Sequence, residues 1–115
     1  MISNPSQLIA LLNKLPGQIR DQEKLYQSAK LGLEHAKLAL SIAKSKAILE
    51  SEGNATEKNA YANKVTEQEQ RDVIEAQGKA DMEEIELKYL ENRFISLRKI
   101  SSLEVELIKS QLSGS

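Results

Sequence analysis

The chain has 115 residues, a formal net charge of −1 and few aromatic side chains: Tyr26, Tyr61, Tyr89 and Phe94, with no Trp. That length admits one domain with a limited core, and a composition rich in Ala, Leu, Lys, Glu and Gln with only two prolines is that of long helices rather than sheet. The lack of cysteine excludes a disulfide framework and a thiolate site, and no apolar run approaches the ~20 residues of a membrane span.

At the start of the chain, Ser3 or Asn4 can cap a helix and Pro5 suits its first turn. Leu8, Ile9, Leu11, Leu12 and Leu15 supply one apolar side, so a short helix is expected over about residues 5–15. Pro16-Gly17 is expected to end it, because proline lacks the amide donor and disfavours helix in the residue before it. The stretch LIALLNKL is short and has no basic region before it, so no signal peptide is expected and a cytoplasmic location is.

A long helix is expected over about residues 18–51. Its seam, Ile19, Gln22, Tyr26, Ala29, Leu33, Ala36, Leu40, Ala43 and Ala47, alternates steps of three and four, which is a heptad pattern. Alanine at alternate seam positions leaves little side chain between this helix and a neighbour. The two axes can then approach toward the lower end of the usual ~8–10 Å range.

The stretch ESEGNATE reads as a turn over about 52–55, with Gly53 in the left-handed position after a helix end. Asn54 followed by Glu57 is an N-cap and capping-box pattern. A second long helix, free of proline, is expected over about 55–112 with the stripe Ala62, Val65, Glu69, Val73, Ala76, Ala80, Leu87, Leu90, Phe94, Leu97, Val105 and Ile108. This stripe drifts from strict sevens, which predicts little supercoil. Folding about residues 53 and 54 sets Ala29 and Leu33 opposite Val73 to Ala80. It also brings Gly32 and Gly78 to one level, as a close crossing or as two surface glycines. The expected fold is all-α: a single domain over residues 1–115, built as a long antiparallel helical hairpin (a coiled coil) with a short N-terminal helix.

A hairpin of two helices has no interior for a second apolar face. Leu31, Leu38, Ile42 and Leu49 nevertheless lie away from the seam of the first long helix, and Ile95, Ile100, Leu103 and Leu107 away from the stripe of the second. Exposed apolar stripes of this kind mark interfaces. The N-terminal helix is expected to cover part of this face and other copies of the chain the rest, giving a homo-oligomer.

Catalytic chemistry has little to draw on. His35 is the single histidine, on a helix among Glu34, Lys30 and Lys37. Asp81, Glu83, Glu84 and Glu86 in DMEEIE splay around a helix and read as a solvated acidic face. No phosphate loop, zinc spacing or serine triad is present. No catalytic residue, metal or cofactor is expected, and the chain reads as a non-enzyme.

The charges are unevenly placed. Residues 24–49 carry five lysines against one acid, Glu34, while residues 50–86 carry eleven acids against four bases. Lys30, Lys37 and Lys44 recur every seventh residue on one flank of the seam, with Lys24 and Lys46 nearby. Such a row can neutralise a phosphate backbone without sequence preference, with Tyr26, Tyr61 or Tyr89 available for stacking on bases. Equally, it can face the acidic second helix of the same hairpin and specify antiparallel pairing.

The run ADMEEIELKYLENRFISLRKISSLEVELIKSQ resembles the second helix of small phage-encoded helical-hairpin proteins. The layout of residues 24–112 is more loosely similar to the UvsY type of phage recombination mediator: an Ala/Lys-rich first helix, the turn GNATE, the sequence KYLENRFISLRKI and a long terminal helix. The resemblance implies a ring of subunits in the cytoplasm of an infected bacterial host. It implies binding to single-stranded DNA and dealings with recombination proteins, loading a recombinase while a single-strand-binding protein is displaced. It puts phosphate contacts at Lys30, Lys37, Lys44, Lys46, Arg93, Arg98 and Lys99. The chain lacks the tryptophan of the WxG secretion-substrate hairpins. The alternative expectation is a structural or adaptor coiled coil that acts by protein–protein interaction.

Overall fold

A computed structural model describes residues 5–113, and these are helical throughout except for residues 51–54 and Thr66. Helix α1 spans Pro5–Glu50, α2 Ala55–Val65 and α3 Glu67–Ser113. The all-helical expectation holds, and the order of elements is consistent with a helical hairpin. The chain groups into two compact units: Leu25–Glu84, and the residues up to Lys24 with those from Ile85 onward.

The separate N-terminal helix does not exist. Pro16 lies inside α1, and the chain stays helical through Gly17. The reason is the phase of the apolar residues. Leu8, Leu12, Leu15, Ile19, Gln22, Tyr26, Ala29, Leu33, Ala36, Leu40, Ala43 and Ala47 are all buried or half-buried, and they step by four and three without interruption. Proline in a helix interior costs ~3 kcal/mol. Burial of a leucine contributes ~1.5–3 kcal/mol, and Leu8 and Leu15 are both buried in one cluster with Leu90 and Leu97. Leu11, Leu12, Ile19 and Phe94 pack against that cluster. Several such side chains outweigh one proline, which sits on the exposed side.

In the unit Leu25–Glu84, the two arms meet at the expected level: Ala29 and Leu33 cluster with Ala80, and Val73 and Ala76 pack against them. The polar tie between the arms is the Tyr26 hydroxyl, which donates to Glu84 Oε2 at 2.8 Å. Gly32 and Gly78 mark no close crossing, since a Cβ built on either would meet nothing within 4 Å.

The turn forms as its residues dictate. Ser51 donates from both its amide and its hydroxyl to the Ile48 carbonyl, at 3.3 and 2.9 Å. Gly53 takes a φ of 107°, open to glycine at little cost, and the Glu57 side chain folds into the space a Cβ there would need. Asn54 then caps α2, its Oδ1 accepting from the Glu57 amide at 2.9 Å.

The second arm is broken where an unbroken helix was expected. Thr66 separates α2 from α3 with φ −106° and ψ 21°. Its amide and hydroxyl both donate to the Ala62 carbonyl, at 3.2 and 2.7 Å. A threonine hydroxyl bonding back one turn distorts the local ladder. The Gln70 side-chain amide spans the break, donating to the Asn63 carbonyl at 2.8 Å and to Thr66 Oγ1 at 3.1 Å.

Thr66 is buried and Val65, expected in the stripe, is 48 % exposed. With that exchange the seam of the second arm is Ala62, Thr66, Glu69, Val73, Ala76, Ala80, Glu83, Leu87, Leu90, Phe94, Leu97, Ser101 and Glu104, all buried or half-buried. Their steps of four and three are strict, so the expected drift from sevens is absent. Val105 and Ile108 are exposed. Helix α3 runs on from Leu97 to Ser113, whereas α1 begins at Pro5, one turn before Leu8.

Candidate nucleic-acid interface

Each lysine of the row directly follows a seam alanine, in the pairs Ala29-Lys30, Ala36-Lys37 and Ala43-Lys44. At 1.5 Å of rise per residue, successive members stand ~10 Å apart along the same flank of α1. Lys30 Nζ lies 5.1 Å from the centroid of the Tyr26 ring, one turn back. Lys37 Nζ lies 3.6 Å from Glu34 Oε1 in an exposed pair within α1, worth at most ~1 kcal/mol.

None of Lys30, Lys37 and Lys44 makes an ion pair with α2 or α3 among the described residues. The heptad geometry explains this. In an antiparallel pair, the residue after the seam on one helix shares a flank with the residue after the seam on the other. On α3 the positions after Glu69, Ala76 and Glu83 are Gln70, Gln77 and Glu84. The two glutamines are neutral and engaged on their own helix, Gln77 donating to Asp81 Oδ1 at 2.9 Å. Glu84 accepts from Tyr26, whose ring carries Lys30. Glu69 and Glu83 are half-buried at seam positions, and Glu67, Asp72, Glu75 and Asp81 are exposed. Opposite net charge on the two arms therefore does not amount to paired charge across the seam.

Of the other expected basic positions, Lys46 lies in the same unit and three lie in the other. Lys46 is exposed and precedes the seam residue Ala47, which puts it on the opposite flank. Arg93, Arg98 and Lys99 belong to the other unit and are exposed at three different bearings around α3. The Arg98 guanidinium carbon stands 5.8 Å from the centre of the Phe94 ring.

Leu31, Leu38, Ile42, Leu49, Ile100, Leu103 and Leu107 are all open to solvent, from 40 % for Ile100 to 86 % for Leu49. The first residues of α1 cover none of them, because they pack into the Leu90–Leu97 cluster instead. On α1 these residues form a second regular stripe: Leu31, His35, Leu38, Ile42, Ser45 and Leu49 step by four and three on the exposed back of the helix. Tyr61 and Tyr89 are also exposed. Within DMEEIE, Glu83 and Glu84 are half-buried at and beside the seam, while Asp81 and Glu86 point outward. Among the described residues no group of three or more His, Asp or Glu is placed to hold a metal ion, and no helix is long and apolar enough to cross a membrane.

The sequence reading missed Thr66 and the Gln70–Gln77 flank. Their signal was the step from Ala62 to Glu69, which a residue at 66 divides as four and three. Comparison with known proteins yields no match to a family model, a curated protein or a solved structure.

Proposed function

We propose that the protein is a non-enzymatic, self-associating helical hairpin that holds the phosphate backbone of single-stranded nucleic acid along Lys30, Lys37 and Lys44. The observation that carries this reading is the row itself: three cations in register on one flank, none neutralised by the acidic arm of its own hairpin. Cations left in water at regular spacing can displace the counterions condensed on a phosphate chain, which is the main source of affinity in sequence-independent binding. Self-association through the exposed apolar residues of α1 and α3 multiplies the row, so that one strand meets several copies. The resemblance to UvsY-type mediators favours a recombination accessory role of the phage kind, on single strands. Titrating a labelled single-stranded oligonucleotide over a range of salt concentrations tests this. The reading requires binding that weakens steadily as log salt rises and changes little with base sequence.

A second reading rests on a different observation. The exposed apolar residues of α1 and α3 also suit a coiled-coil scaffold that joins proteins. A scaffold of that kind gives no oligonucleotide binding at moderate salt.

A further inference from the structure

We infer that a second copy of this chain docks antiparallel on the face of α3 formed by Ile100, Leu103 and Leu107, held in register by ion pairs between Lys99 of each copy and Glu106 of the other. This deepens the self-association reading above and rests on it.

The argument begins with spacing. Ser96, Ile100, Leu103, Leu107 and Ser110 step by four and three, a second heptad stripe on the side of α3 away from its buried residues. Ile100, Leu103 and Leu107 are 40, 65 and 60 % exposed. Beside them Ile95, Arg98, Lys99, Ser102 and Glu106 share an open face of the helix with Leu103. An exposed apolar stripe with charges along its edge has the make-up of an interface.

The charges choose the occupant. Lys99 and Glu106 are two turns apart on the same edge of the stripe, both exposed and neither in an ion pair among the described residues. A two-fold interface must be complementary to itself. Let two copies of α3 run antiparallel so that Ile100 of each meets Leu103 of the other. Lys99 of one then lies beside Glu106 of the second copy, and Glu106 beside its Lys99, so both pairs form at once. Leu107 closes the end layers against Ser96. In a parallel arrangement Lys99 would face Glu104 of the second copy instead. That residue is half-buried on the side of α3 packed within its own chain, so the antiparallel register is the one with available partners.

Charge exchange tests this, read by light scattering or sedimentation, with circular dichroism confirming that each variant stays helical. Lys99→Glu sets carboxylate against carboxylate across the two-fold axis, and Glu106→Lys sets ammonium against ammonium. Each alone should weaken association by at least ~10-fold. Mixing the two variants should restore it, since every cross-pair is then of opposite sign, and the double exchange in one chain should restore it as well. A wild type that associates while both single variants associate equally well overturns this interface and leaves self-association standing. A wild type that stays monomeric overturns both. Single variants that weaken but are not rescued by mixing also overturn the pairing, because that result assigns the charges to something other than each other.

Discussion

The Tyr26 hydroxyl donates a 2.8 Å hydrogen bond to the Glu84 carboxylate, joining α1 to α3 at a half-buried seam position. It sets register, because sliding either helix by one turn would leave the phenol without its acceptor. The ring of the same tyrosine carries Lys30, whose Nζ stands 5.1 Å from its centroid.

Removal of that bond should be measurable. Hydrogen bonds to charged groups contribute ~1.5–3 kcal/mol when well sheltered, and this one is partly open to water. Tyr26→Phe keeps the ring and should lower stability by about 1 kcal/mol in urea denaturation, with helicity unchanged. Equal stability of the two proteins would show that the bond does not hold the arms in register.

Pro16 offers a test of the continuous first helix. It lies on the exposed side of α1, in phase with no buried neighbour of its own. Pro16→Ala should therefore stabilise the protein, by up to ~3 kcal/mol. Were the helix broken at this point, alanine would give no such gain.

Glu69 occupies a seam position, and its Oε2 is buried without a hydrogen-bond partner. An unsatisfied buried acceptor costs ~1–3 kcal/mol. Glu69→Leu removes the carboxylate and fills the same layer with apolar surface, so the thermal midpoint should rise. A fall would mean that the carboxylate has a role in the seam that its surroundings do not reveal.

The opposite change checks how closely the helices approach. Ala29 is buried against Leu33 and Ala80. Ala29→Leu should overpack this layer and cost ~1–3 kcal/mol. A higher melting temperature would show room that a close alanine seam excludes.

Much of this fold was readable because a heptad seam is a repeated statement. Ile19 to Ala47 declares its period several times over, so a single ambiguous residue such as Gln22 does no harm. Pro16 misled because a local rule was applied where the periodic one decides: Leu8, Leu12 and Leu15 are already in phase with Ile19. Val65 and Thr66 misled for the reverse reason, since apolar character was preferred to spacing at a place where the seam takes the polar neighbour. The lysine row was visible at once. That Gln70 and Gln77, rather than acids, share its flank was not, because this depends on the antiparallel register.

The most direct test is the variant Lys30→Gln, Lys37→Gln, Lys44→Gln, studied by oligonucleotide titration across salt concentrations beside the wild type. If the row holds the strand, single-strand affinity falls about equally for all base sequences. The slope of log affinity against log salt flattens by roughly 0.7 for each lost contact, about two in all. Stability should change little, because none of the three lysines is paired to the opposite arm. Undiminished affinity with an unchanged slope, in a triple variant that folds and assembles like the wild type, would contradict the proposal and remove the row from the function of this protein.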